Sequence, residues 1–147
     1  MIDISSKNSV VRIARASGKI HLKKKTLEKI QSKTLEKGDV FTISRIAAIN
    51  AVKKVPELVP LCHPIPIYHI KIDFQIEEDN NINVTCIVKS DAKTGVEMEA
   101  LTGVSIALLN IWDVVKMYEK NESGQYPTTF ISDIKVDEKM KVDEKML

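Results

Sequence analysis

Cys62 and His63 stand side by side in "VPELVPLCHPIPIYHI", Val55 to Ile70, a stretch holding four of the chain's five prolines. Cysteine and histidine can ligate metal, act in nucleophilic attack or move protons. A metal site lacks companions: no C-x-x-C or H-x-x-x-H spacing occurs, and the only other histidines are His21 and His69. A Cys62–His63 dyad is poorer still, because neighbours in extended chain point to opposite sides. Pro64 and Pro66 forbid helix here and bias Cys62, His63 and Ile65 towards extended geometry. Two readings of His63 stay open: a fixed hydrogen-bonding group at a pocket edge, or a structural turn residue.

A second set of candidates lies on "TGVEMEALTGVSIALLNIWDVVKMYEK". On a helical wheel Glu99, Thr102, Asn110 and Asp113 fall within an arc of about 80°, with Lys116 one step aside. Nearly everything else from Met98 to Val115 is apolar. An ionised group on a buried helix is costly unless paired. The stripe therefore either pairs internally, as Asp113 with Lys116 at (i, i+3) or across to Arg45 or Lys53, or it lines a pocket. Glu97 projects roughly opposite Glu99, and Thr94 with Glu97 has capping-box spacing. Lys37 precedes the N-cap candidate Asp39, where an anion would meet an ammonium and free backbone N–H groups.

The elements that must position these residues are readable in the pattern. "VVRIARA" is a strand from Val10 to Ala16, and "LKKKTLEKIQSK" a short helix with Leu22, Leu27 and Ile30 inward. "DVFTISRIAAINAVKK" is a helix ending near Lys54, apolar on most of its circumference and so buried on more than one side. "YHIKIDFQI" alternates with Ile70, Ile72, Phe74 and Ile76 on one face, "EEDNN" turns, and "INVTCIVKS" returns with Ile82, Val84, Cys86 and Val88 inward. The long helix ends near Glu119, and "TTFISDIKV" closes the series as a strand. That order predicts an α+β fold, an antiparallel sheet with helices on one face. The expected domain spans residues 1–136. Residues 137–147, built from near-repeats of "KVDEKM", are expected to form a charged, frayed tail.

Composition narrows the classes. The chain has 147 residues, a net charge of +2 and 5 % aromatics, which argue against nucleic acid as a partner. Two cysteines suit a reducing compartment. No apolar leader opens "MIDISSKNSV", and the run "ALTGVSIALLNIW" is short of the ~20 residues that span a bilayer. A cytoplasmic protein without a membrane partner is expected.

At "KGDVFTISRIAAINAVKKVPEL", "LVPLCHPIPI" and "KTGVEMEALTGVSIALLNIWDVVK" the sequence resembles the cyclic pyranopterin monophosphate synthases, the molybdenum cofactor biosynthesis protein C family. The resemblance runs nearly unbroken from Lys37 to Lys116, with "VVRIARA" as an N-terminal echo. It implies a lyase that converts a cyclised dihydroguanosine triphosphate into cyclic pyranopterin monophosphate and releases pyrophosphate. It implies no tightly bound cofactor and no protein-held metal, with Mg²⁺ at most accompanying the triphosphate. It also implies a ferredoxin-like fold with two long helices on one face, assembled as a hexamer of three dimers with interfacial active sites.

Carried over by position, Lys37, Lys116 and Asp113 match the catalytic residues. Leu61, Cys62, His63, Met98 and Glu99 match substrate contacts, and Glu97 a further acidic position. Arg12 and Lys53 match basic positions that hold phosphates. On this resemblance His63 is a substrate contact. One departure stands out: many members carry a glycine-rich, lysine-bearing loop near the C-terminus, whereas this chain has no glycine after Gly124. Lys139 or Lys141 would have to substitute for that loop's lysine. Two rival readings remain, a non-catalytic nucleotide-binding oligomer of the same fold and a metal-dependent phosphohydrolase built on His63, Glu97, Glu99 and Asp113.

Overall fold

The computed structural model describes residues 1–142. In chain order its elements are β1 (Val10–His21), α1 (Lys24–Gln31), α2 (Val40–Val52), α3 (Val55–Leu58), β2 (His69–Ile76), β3 (Asn81–Ala92), α4 (Glu97–Glu119) and β4 (Phe130–Val142). The four strands form one antiparallel sheet in the order β2-β3-β1-β4. Two βαβ units interleave to give it, the ferredoxin-like α+β arrangement, with α2 and α4 packed side by side.

The period-two residues of the hairpin do what their pattern demands. Ile72, Ile82, Val84, Cys86 and Val88 are buried, while His69, Lys71, Asp73 and Gln75 face outward. On α4 the buried positions Ala100, Gly103, Val104, Ala107, Leu108, Ile111, Val114 and Val115 recur at three- and four-residue steps and lie on β1, β3 and β4. The helix layer closes down tightly at Gly103: a Cβ there would sit 2.6 Å from Cys86 Sγ and 2.9 Å from Val52 Cγ2. By length and composition α4 is apolar enough to cross a membrane, but its apolar stripe is spent on this sheet.

Three boundaries differ from the sequence reading. β1 continues five residues past Ala16, because Gly18 and Ile20 stay paired with Val84 and Ile82. Pro56 opens the short helix α3, whose first turn has no need of the missing N–H, rather than only stopping α2. β4 runs six residues beyond Val136, pairing Val11 with Val142 across a ladder with two register shifts. Up to Val142, then, the segment expected to fray is an edge strand; residues 143–147 of that tail lie outside the described residues. The capping box is absent as well, since Val96 is the N-cap and no side chain caps α4.

The far end of α4 is held by a carboxylate. Glu119 is 0 % exposed and accepts the Lys23 N–H at 3.1 Å, the Thr26 hydroxyl at 2.5 Å and the Thr129 hydroxyl. Removing it leaves a backbone N–H and two hydroxyls buried without acceptors. Glu119→Ala is expected to lower stability by about 3 kcal/mol, with Glu119→Gln milder, measured by denaturant unfolding.

Candidate active site

Two polar clusters form, at opposite ends of α4. At the C-terminal end Asp113 accepts from Lys37 Nζ at 3.0 Å and from Lys116 Nζ at 2.7 Å, one lysine per carboxylate oxygen. Lys37 also donates to the Asp113 backbone carbonyl at 2.9 Å. Its loop is fixed from both sides. Glu36 N–H donates to the Tyr118 hydroxyl at 2.9 Å, Gly38 takes φ +100°, and Asp39 caps α2 through the Thr42 N–H at 2.8 Å. The cap uses Asp39 on its own helix, so Lys37 turns to Asp113 instead. The (i, i+3) pairing read from sequence is present, but Arg45 goes elsewhere, donating to the Ile72 carbonyl and stacking over Phe74. Hydrogen bonds from Lys116 and Lys37 hold the Asp113 carboxyl below its ordinary range, and the Asp113 bond pushes the Lys116 ammonium upward. Both lysines stand in an open, solvated cluster that a polyanion can reach.

At the N-terminal end a cavity of about 500 Å³ is lined by Leu61, Cys62, His63, Glu97, Met98 and Glu99, together with Thr94, Gly95 and residues from the start of the chain. The proline-rich segment reaches it because Cys62 N–H closes a turn on the Val59 carbonyl and the Ser90 hydroxyl pins Pro66 at 2.5 Å. Burial raises the Cys62 thiol, with Glu99 and Glu97 adding to it, so Cys62 is a poor thiolate.

Glu99 is only 3 % exposed, and its carboxylate takes a hydrogen bond from its own backbone N–H. Burial pushes its pKa up, and the neighbouring Glu97 adds to the shift. Glu97 lies over Gly95, where a Cβ would come within 2.0 Å of its Oε2, and that oxygen is buried without a partner. Its other oxygen is 3.4 Å from Lys139 Nζ. Glu99 is thus buried and Glu97 half-buried beside it, with one Glu97 oxygen free to accept from an N–H donor.

The remaining expected residues are more scattered. Lys53 lines a smaller cavity of about 260 Å³ that shares Glu99 with the first. Arg12 is beside the site rather than in its wall: its Nε donates to the Ala92 carbonyl at 3.5 Å, and β1–β4 pairing sets it opposite Lys141. Of the wheel's stripe, Asn110 bonds back to the Ile106 carbonyl in its own helix and takes no part in either cluster. Lys7, Thr94 and Gly95 were not legible as site residues. Lys139 reaches the site only because β4 continues past residue 136.

The ferredoxin-like α+β domain thus carries a lysine–aspartate cluster at Asp113 and Lys116 of α4 with Lys37 from the loop before α2, and an acidic pocket at the start of α4. The chain belongs to the MoaC family, whose family model matches residues 1–141. It is 57 % identical over 141 residues to a protein of Archaeoglobus fulgidus named probable cyclic pyranopterin monophosphate synthase, covering 96 % of this chain and 90 % of that one. A protein of the same name from Sulfurisphaera tokodaii is 53 % identical, with 99 % and 96 % of the two chains covered.

The buried Glu99 carries a directional consequence. Its folded pKa lies above its unfolded one, so the stabilising difference is present below the ordinary carboxylate value and is lost as pH rises through the raised folded value. At neutral pH an ionised Glu99 opposes folding. Glu99→Gln is expected to raise the thermal midpoint at pH 7, with the gain shrinking towards pH 4, while ligand turnover falls.

Proposed function

We propose that this protein is a cyclic pyranopterin monophosphate synthase acting in molybdenum cofactor biosynthesis. It takes a cyclised dihydroguanosine triphosphate, rebuilds its rings into a pyranopterin, closes a cyclic phosphate and expels pyrophosphate, as a phosphorus–oxygen lyase. The observation that carries this reading is the pairing of two complementary clusters along α4: cations at Lys116 and at Lys37 of the facing loop for the phosphates, and acceptors at Glu97 and Glu99 for the N–H edge of the pterin.

Lys37 and Lys116 act as proton donors and as charge stabilisers for the phosphates. Asp113 supports that role by keeping Lys116 protonated, since it raises that ammonium's pKa. The rate is expected to stay nearly level between roughly pH 6 and 9, whereas strong activation with rising pH would mean that a free amine is the working form. His63 and Met98 bound the pterin side, with Leu61 and Cys62 completing its wall. Arg12 and Lys53 add positive charge for the phosphate side, and any Mg²⁺ arrives with the triphosphate.

The clusters do not meet within one chain. Glu99 and Asp113 are fourteen residues apart on α4, about 21 Å at the helical rise. That exceeds the reach of one nucleotide-sized ligand, and it weighs against a phosphohydrolase centre assembled from His63, Glu97, Glu99 and Asp113 of a single chain. A twofold axis near Ile106, midway between them, would set α4 against the same helix of a second copy running the other way. Each active site would then take its lysines from one protomer and its acidic pocket from the other. Ile46 and Leu109, 56 % and 55 % exposed on the helix layer, fit that contact. Three such dimers make the proposed hexamer.

Turnover of the cyclised triphosphate, followed as pyrophosphate release, tests the reaction. Wild type is expected to turn over, and Lys37→Ala to be slower by at least about a hundredfold. Binding without pyrophosphate release by the wild type would favour a non-catalytic nucleotide-binding oligomer. Dissociating and mixing Lys37→Ala with His63→Ala protein is expected to restore about one quarter of wild-type activity, because half of random dimers are mixed and each has one intact site. No recovery would mean that each site is built within one chain.

A further inference from the structure

The reaction proposed above makes no use of residues 1–7, yet Met1, Ile2, Ile4 and Lys7 line the His63 cavity. This segment is tied down by few bonds. His63 Nε2 donates to the Ile2 carbonyl at 2.8 Å, and Lys93 Nζ donates to the Ser5 carbonyl at 2.7 Å. Within the segment Lys7 N–H closes on the Ile4 carbonyl and Ser5 N–H on Asp3 Oδ1. Of its apolar side chains only Ile4 is half-buried, while Met1 and Ile2 are 72 % and 78 % exposed. The contact with His63 is therefore a polar one, made by a main-chain oxygen to a ring N–H inside a ligand-sized cavity. A pterin carbonyl or a phosphate oxygen offers that donor the same kind of acceptor, and a charged oxygen offers a better one.

We infer that residues 1–7 form a strap that fills the hydrogen-bonding place of the ligand at His63 while the site is empty, and that the ligand's own acceptor oxygen expels it. The identity of that ligand rests on the synthase reading; the strap's attachment to His63 does not. Binding then exchanges one His63 hydrogen bond for another and releases the segment, so the empty pocket holds its imidazole oriented at the cost of some ligand affinity.

The experiment follows tryptic cleavage of the Lys7–Asn8 bond by mass spectrometry on the full chain. Without ligand, His63→Ala is expected to speed this cleavage about fivefold, the effect of losing one such bond. Saturating Lys37→Ala protein with the cyclised triphosphate, which it holds without turning over, is expected to speed cleavage by at least as much. Deleting residues 2–5 from the otherwise wild-type chain is expected to lower KM about fivefold with kcat little changed. An unchanged cleavage rate in His63→Ala overturns the proposal, whatever the ligand proves to be. Slower cleavage on binding, or a raised KM after deletion, overturns it too, since the segment would then belong to the ligand-bound site. If the triphosphate fails to bind any variant, the synthase reading fails, while the His63→Ala comparison still decides the strap.

Discussion

Glu119 ties three elements together where α4 ends: the entry to α1 through Lys23 and Thr26, and the approach to β4 through Thr129. Asp113 and Lys116 lie one to two turns upstream of that anchor, so the lysine–aspartate cluster inherits its position from a buried carboxylate it never touches. Tyr118, next to the anchor, extends the same fixation to the Lys37 loop through the Glu36 N–H. A carboxylate with several donors is an expensive way to join elements, but it is directional in a way that apolar contact is not. That direction lets two flexible lysines converge on a single aspartate.

The two ends of α4 stand in contrasting electrostatic conditions. Asp113 is open to solvent and neutralised by two ammonium groups, so its charge is easily carried. Glu99 is buried and Glu97 half-buried close to it, with Glu97 Oε2 buried and unpartnered. Gly95 leaves room for the Glu97 carboxylate that any side chain would deny. The unpartnered Glu97 oxygen costs stability, and it lies beside the cavity, where a donor could satisfy it.

Much of this was legible in the sequence because it depends on periodicity and proline geometry. The hairpin's alternating isoleucines and valines, the apolar face of α4 and the absence of helix at His63 all follow from local rules, whereas Cys62, expected extended, closes a turn. The Asp113–Lys116 pair was legible from spacing, and membership of the family from long, specific motifs. What escaped detection depended on contacts distant in sequence. Glu119 looked like the polar end of a helix until its partners, Lys23 and Thr26 more than ninety residues before it and Thr129 ten after, were in place. Thr94 and Glu97 satisfied a capping pattern, but Glu97 turned into the cavity over Gly95. Residues 137–142 read as a solvated tail because this edge strand, exposed from Asp137 to Lys141 without alternation, carries as many charges as a loop.

That last strand contains a sequence ambiguity. Residues 135–140 and 141–146 are the same hexapeptide, KVDEKM, in tandem. Because side chains alternate with period two, a slide of β4 by six residues would return the residue types of positions 135–140 to the same face and the same neighbours on β1, but not those of Phe130–Ile134. The repeat itself therefore cannot choose between the two alignments. The choice is made upstream, where Phe130 stacks on His21 and Thr129 is held by Glu119. The strand is indexed from its first residue, like a ruler with identical divisions and a single fixed zero.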